Sequence, residues 1–372
     1  MIDPRVERLA QLVVGYSLEL GEGAVLRIDA HESAEPLVLA FYRAALAAGA
    51  LPFTSVQVDG LTEQLFAVGS DGQIAYVSPI EQREIETIDA LVTIWSEGNT
   101  RSLSRADPAR HSSYIAARRE LTDRRWERIS AGELAWCGTL HPTPARAQEA
   151  EMSLEDYESF VFAACHADRD DPAAHWRAAS AELDARARSL AHVRELRVLG
   201  PDTDLRVGVA GRTWVAADGR RNMPDGEVFT SPLETEVDGE IRFAFPAIFH
   251  GREVEDVRLR FEGGRVVAAE AAAGEDYLRS LLDMDEGARL LGEIAFGLNY
   301  EIDRFTRNIL FDENIGGTMH FALGAGFSQA GGTNTSALHW DLICDLRAEG
   351  EVYVDGELVW KAGRFLAETV DG

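Results

Sequence analysis

AVLRIDAHESAEPLVLAFYRAALAAGALPFTSVQV, residues 24–58, decides the fold of the first half. Ala24 to Ile28 is a short apolar run and Pro52 to Val58 is β-rich again. Between them Pro36 to Ala48 carries apolar residues at helical spacing. A strand, a helix and a second strand in that order imply a crossover connection and a mainly parallel sheet covered on both faces. The pattern continues downstream. Ala90 to Trp95 (ALVTIW) reads as a buried strand, Ala109 onward as one long surface helix, and Leu134 to Cys137 as a short strand entering the loop at His141. Helices follow around Asp156 to Cys165 and Ala173 to His192.

The character changes near Val198-Leu199-Gly200-Pro201. Beyond it short alternating segments are punctuated by glycine: Leu205 to Val209, Thr213 to Ala216, Ile241 to Phe245, Val257 to Phe261 and Arg265 to Ala269. These read as antiparallel strands, with Glu262-Gly263-Gly264 as a turn. Helices are expected at Asp276 to Leu282 and near Asp285 to Leu291. The expected architecture is an α/β domain over residues 1–200 and a β-rich, α+β domain over residues 201–372. A chain of 372 residues exceeds one usual hydrophobic core, which agrees with two domains.

Acidic residues number 63 against 36 basic ones, a formal net charge of −27. Such a surface repels phosphate backbones and anionic lipid, which argues against nucleic-acid and membrane partners. The start, MIDPRVERLA, has no basic segment followed by a long apolar one, and no apolar run approaches membrane length, so a cytoplasmic location is expected. Cys137, Cys165 and Cys344 are too far apart for a thiolate metal site or disulfide framework and read as buried thiols. No G-x-S-x-G elbow is present, and Gly21 and Gly23 form no dinucleotide or phosphate-loop fingerprint.

Ligand-type side chains gather in the second half. His339 and Asp341 in SALHWDLICDL are two apart, so an extended strand points both to one face. An imidazole beside a carboxylate suits zinc, cobalt or manganese. His320 lies among apolar residues in MHFAL, where a satisfied core histidine is the plainer explanation. Glu293, between Leu291 and Ile294, sits where burial is expected, and an unpaired buried carboxylate is costly. No lysine or arginine lies in its segment: either the segment is exposed or something positive lies opposite, and a metal would serve. Glu227 lies in a Pro-Asp-Gly-Glu turn and Glu313 just before Gly316-Gly317, each alone readable as an ordinary turn residue.

Together these segments resemble the thermophilic metalloaminopeptidase family of the aminopeptidase T and AmpS type. The resemblance rests on Asn222 to Pro232 (NMPDGEVFTSP), Gly292 to Asn299 (GEIAFGLN), Asp312 to Gly324 (DENIGGTMHFALG) and Gly332 to Asp341. It extends to Asn99-Thr100-Arg101, His141-Pro142-Thr143-Pro144 and the MSLEDYESFVFAACHAD stretch. It implies two divalent metals held by Glu227, Glu293, Glu313, His320, His339 and Asp341, with Glu293 bridging them and a candidate to move the catalytic proton. It also implies a homodimer and a substrate peptide with a free N-terminus, cleaved by metal-activated water. The family places a tyrosine seven residues after the first ligand histidine; here that position is Phe327, whose ring cannot donate a hydrogen bond. Another metal-dependent amidohydrolase, or a non-catalytic homologue that binds metal or peptide, are the alternatives.

Overall fold

Residues 3–366 are described by a computed structural model; residues 1–2 and 367–372, the outer ends of the two expected domains, lie outside it. The opening stretch forms the strand Val25–His31, the helix Glu35–Ala47 and the strand Leu51–Gln57. Pro36 sits in the helix's first turn, where its missing N–H has no partner to lose. Both strands, with Ala90–Trp95, Ala135–Leu140 and the two-residue strand Asn222–Met223, build one five-stranded sheet in which every pairing is parallel. Leu26, Ile28, Leu91, Val92 and Ile94 are buried along it, as strands covered on both faces require.

Two expectations change. The long helix from Ala109 is two helices, Pro108–Ala117 and Arg119–Ser130. At Arg118 the backbone N–H bonds Ile115, three residues back, and that tighter turn separates them. The expected helix at Asp285 to Leu291 shrinks to the 3-10 turn Glu286–Arg289, because Leu290 is already extended and Leu291 begins a strand.

The chain divides into two compact units: residues up to His175 with Gly219–Pro224, and Trp176–Asp218 with the residues from Asp225 onward. The second unit is built from antiparallel sheets. One has eight strands and runs from Arg265–Glu270 to Arg364–Phe365; another has five, ordered His339–Asp345, Thr318–Gly324, Leu291–Gly297, Glu227–Thr230, Val215–Ala217. A single core joins them, with Leu196, Val198, Leu205 and Phe261 from the larger sheet and Phe296, Phe321, Trp340 and Leu342 from the smaller. Cys137, Cys165 and Cys344 are buried. Among the described residues no helix is long and apolar enough to cross a membrane.

Candidate metal centre

Side chains alternate across a strand, and in the five-stranded sheet that alternation divides core from chemistry. Ile294, Phe296, Met319, Phe321, Leu323, Trp340 and Leu342 enter the core. The intervening positions, Glu293, His320, His339 and Asp341, occupy the opposite face. Leu291 breaks the rhythm: it belongs to the core although Glu293 is only two residues on. The register shifts there, Leu291 facing Leu323 but Glu293 facing Ala322, so one extra residue, Gly292, forms a β-bulge. Bulges re-aim side chains beside active sites, and this one turns Glu293 away from the core. Only glycine fits, since a Cβ on residue 292 would lie 2.0 Å from the Ala325 carbonyl oxygen.

In register across the sheet, Glu293, Ala322 and Asp341 form one row. The Ala322 methyl leaves the space between the two carboxylates open. Glu293 Oε1 is 3.6 Å from His320 Nε2, and its Oε2 is 3.4 Å from His339 Nε2. Asp341 Oδ1 lies 3.6 Å from His339 Nε2 and 4.0 Å from His320 Nε2. Glu227, on the strand beyond, places Oε2 3.5 Å from His320 Nδ1. Two overlapping groups result, Glu227–Glu293–His320 and Glu293–His339–Asp341, the ligand-type atoms of each within 4.8 Å of one another. Glu293 is common to both.

Both histidines are oriented from behind. His320 Nδ1–H donates to the Glu313 carbonyl at 3.1 Å, and His339 Nδ1–H to the Ala325 carbonyl at 2.9 Å. A carbonyl only accepts, so each bond fixes the tautomer and aims the Nε2 lone pair at Glu293, the arrangement found behind metal-ligating imidazoles. Glu313 supplies that carbonyl from just after the short helix Ile309–Asp312, and its carboxylate belongs to neither group of three. Its strongest charged neighbour is Asp341.

The residues fit a divalent cation. Glu227 Oε2 and Asp341 Oδ1 are buried with no hydrogen-bond partner, a costly state for carboxylate oxygens unless a cation meets them. Among the described residues no arginine or lysine pairs with any of the six. Separations of 3.4–3.6 Å exceed a good hydrogen bond. They match two ligands sharing a tetrahedral ion at bond lengths of about 2.0–2.2 Å. Without a cation, burial and the neighbouring carboxylates push Glu227 and Glu313 well above the usual carboxylate range. Burial works against charge at Glu293 as well, yet the two histidines hold it down to about 2. Burial likewise opposes a charged His339, but Asp341 and Glu293 raise it to about 10, and Glu227 and Glu293 drive His320 upward.

One acidic residue escaped the reading of the sequence. Asp225, 2% exposed, is among the charges that raise Glu227 and Glu313. Its place in a Pro-Asp-Gly turn disguises it as a surface residue. Gly226 (φ +128°) lies against Asn299, where a Cβ would come within 2.8 Å of the asparagine Cβ. Asn299 Nδ2 in turn donates to the Asp225 carbonyl at 2.9 Å, which closes the turn inward.

An antiparallel sheet bearing imidazoles around a shared carboxylate has the donor set of a divalent-metal enzyme. The sequence matches the thermophilic metalloprotease (M29) family over residues 2–365, and the chain belongs to that family. Membership makes it a metal-dependent peptide-bond hydrolase. Aminopeptidase T of Thermus aquaticus is 31% identical over 291 residues, covering 69% of this chain and 68% of the relative. Aminopeptidase 2 of Geobacillus stearothermophilus is 27% identical over 413 residues, covering 98% of each. The structure of wild-type AmpT from Thermus thermophilus superposes with a TM-score of 0.85 at 26% identity, covering 98% of this chain and 99% of that one.

Proposed function

We propose that this chain is an aminopeptidase that releases N-terminal residues from peptides at a two-metal centre. The observation that carries the reading is Glu293, buried, with one carboxylate oxygen toward each of two inward-facing imidazoles. Glu227, Glu293 and His320 would hold one ion, and Glu293, His339 and Asp341 the other. Zinc, cobalt and manganese all accept this mixed oxygen and nitrogen set. When bound, a pair of divalent ions lowers the pKa of water toward neutrality and polarises a carbonyl.

The chain's own groups do the rest. The Glu313 and Ala325 carbonyls hold the Nδ1 protons of His320 and His339, so each Nε2 is the nitrogen that would face an ion. If Glu293 bridges, both its oxygens are engaged. Glu313, outside both groups of three, is then the carboxylate free to take the proton of the attacking water and deliver it to the leaving amine. The surplus of carboxylates, Asp225 included, attracts a cationic α-amine and favours action at a free N-terminus. The buried ends of Glu227 and His320 keep bulk water away from that side.

Phe327, which has no hydroxyl to donate, favours a second reading: a metal-dependent amidohydrolase acting on small peptide-like amides. Aminoacyl anilides compared with their N-acetylated forms separate the two, because an aminopeptidase requires the free amine. The test uses leucyl- and arginyl-anilides with metal-stripped protein, with zinc, cobalt or manganese added back. Activity restored by metal, lost on N-acetylation and lost in Glu293→Gln is expected; cleavage of the acetylated forms would support the second reading. The homodimer implied by the resemblance is part of the proposal, and sedimentation equilibrium measures it.

A further inference from the structure

The two groups of three differ in access. The side chains of His320, Glu293 and Glu227 are 1%, 5% and 9% exposed, whereas those of His339 and Asp341 are 33% and 13% exposed. Solvent, and therefore substrate, reaches the centre at the His339 end. Phe327 stands there with 37% of its surface open.

A single exposed aromatic ring is usually unremarkable. This one is fixed through its backbone and by two ring neighbours. Its backbone N–H donates to Ser231 Oγ at 3.0 Å, and its carbonyl accepts from Ala330 and Gly332 at 3.0 and 2.9 Å. Its ring meets His339 at 5.2 Å and Phe229 at 5.3 Å between centroids, both at steep angles. Behind it Phe229, Ala295 and Ala330 form an apolar cluster on the same face of the sheet as the histidines, detached from the main core. The centre thus has an acidic flank at Glu313 and Asp225, and an apolar flank at Phe327.

We propose that Phe327 is the specificity-determining wall of the site, taking the side chain of a large apolar N-terminal residue. The proposal rests on the aminopeptidase reading and adds the substrate class. Burying a leucine-sized side chain against a fixed ring favours it over alanine by about 10- to 100-fold.

The test measures kcat/KM of the metal-loaded protein for leucyl-, phenylalanyl-, alanyl- and arginyl-anilides, with Phe327→Ala and Phe327→Glu alongside. Calorimetric Kd values for free leucine and free alanine supply a readout independent of turnover. Wild type is expected to prefer leucyl and phenylalanyl substrates over alanyl by about 10- to 100-fold. Phe327→Ala brings that ratio within about threefold, with the leucine-to-alanine Kd ratio falling in parallel. Phe327→Glu shifts preference toward arginyl. A merely structural role would lower all four substrates by one factor and leave the ratios intact, and that result overturns the proposal. If wild type cleaves these anilides but the ratios do not move, the proposal alone fails. If wild type cleaves no free-amine anilide with any metal, the aminopeptidase reading fails and the proposal with it.

Discussion

The phenyl ring of Phe327 meets the imidazole of His339 edge to face, centroids 5.2 Å apart and planes 68° apart. The contact limits rotation of an imidazole whose far nitrogen is already tied to Ala325. An aromatic side chain at this position therefore serves orientation even without a hydroxyl, and the two contributions are separable.

Phe327→Tyr keeps the ring and adds a donor. Oxyanion donors in hydrolases are worth about a hundredfold or more in kcat. Phe327→Tyr is expected to raise kcat by on the order of tenfold or more, with side-chain selectivity unchanged. Steady-state kinetics on leucyl- and alanyl-anilides measure both. An unchanged kcat would mean that some other group already supplies the donor.

Metal content should follow the shared carboxylate. Dialysed wild type is expected to carry two ions per chain, Asp341→Asn one, and Glu293→Gln none, measured by elemental analysis. Loaded wild type should also melt higher than stripped protein, because the ions replace repulsion among buried carboxylates. Metal at a hundred times its Kd adds about 2.7 kcal/mol of stability. Equal loading of wild type and Glu293→Gln would rule out the bridging role.

Ser231, 1% exposed, pins the loop that orients His339. Ser231→Ala strands the Phe327 N–H and loosens the Ala325 carbonyl two residues away. Loss of such an outer partner typically costs about 10- to 100-fold in metal affinity. Only the ion on the His339 side should weaken. Competition with a chromophoric chelator resolves the two sites, and the 15N shifts of His339 show whether its tautomer is still fixed.

Two histidines of the first unit set an acid limit. Burial lowers His141 to about 4, and burial, with His175 alongside, lowers His166 to about 3. Both stay neutral in the folded chain, while the unfolded chain takes protons near pH 6.5. The unfolded state therefore binds more protons below that value. Stability is complete above pH 6.5 and falls as the pH drops toward 4 and then 3, by on the order of 3 kcal/mol for each histidine once solvent screening at the partly open His166 is allowed for. Denaturant titrations of His141→Gln and His166→Gln between pH 7 and 4 should show a shallower loss.

Much of this was readable in the sequence. The alternation in MHFAL and HWDLI announces strands with one apolar and one polar row, and the run from Ala24 to Val58 announces a parallel sheet. Six residues spread over more than a hundred positions were expected to meet; Glu227, Glu293, His320, His339 and Asp341 form the two groups of three, and Glu313 adjoins them through its backbone carbonyl. What escaped were features with no period. The strand Asn222–Met223 is too short to leave a pattern, yet it joins the parallel sheet beside Ala135–Leu140. Asp225 is hidden by its turn. The face of Glu293 was illegible, since simple alternation puts Leu291 and Glu293 on the same side.

That last point reaches beyond the site. With Gly292 in place, the strand is written in two reading frames, one spelling core and the other spelling chemistry. Pairing these same residues one to one, without the bulge, would put Leu291 and Glu293 on one face and so send one of them to the wrong place. The most regular version of this strand would be the one unable to work.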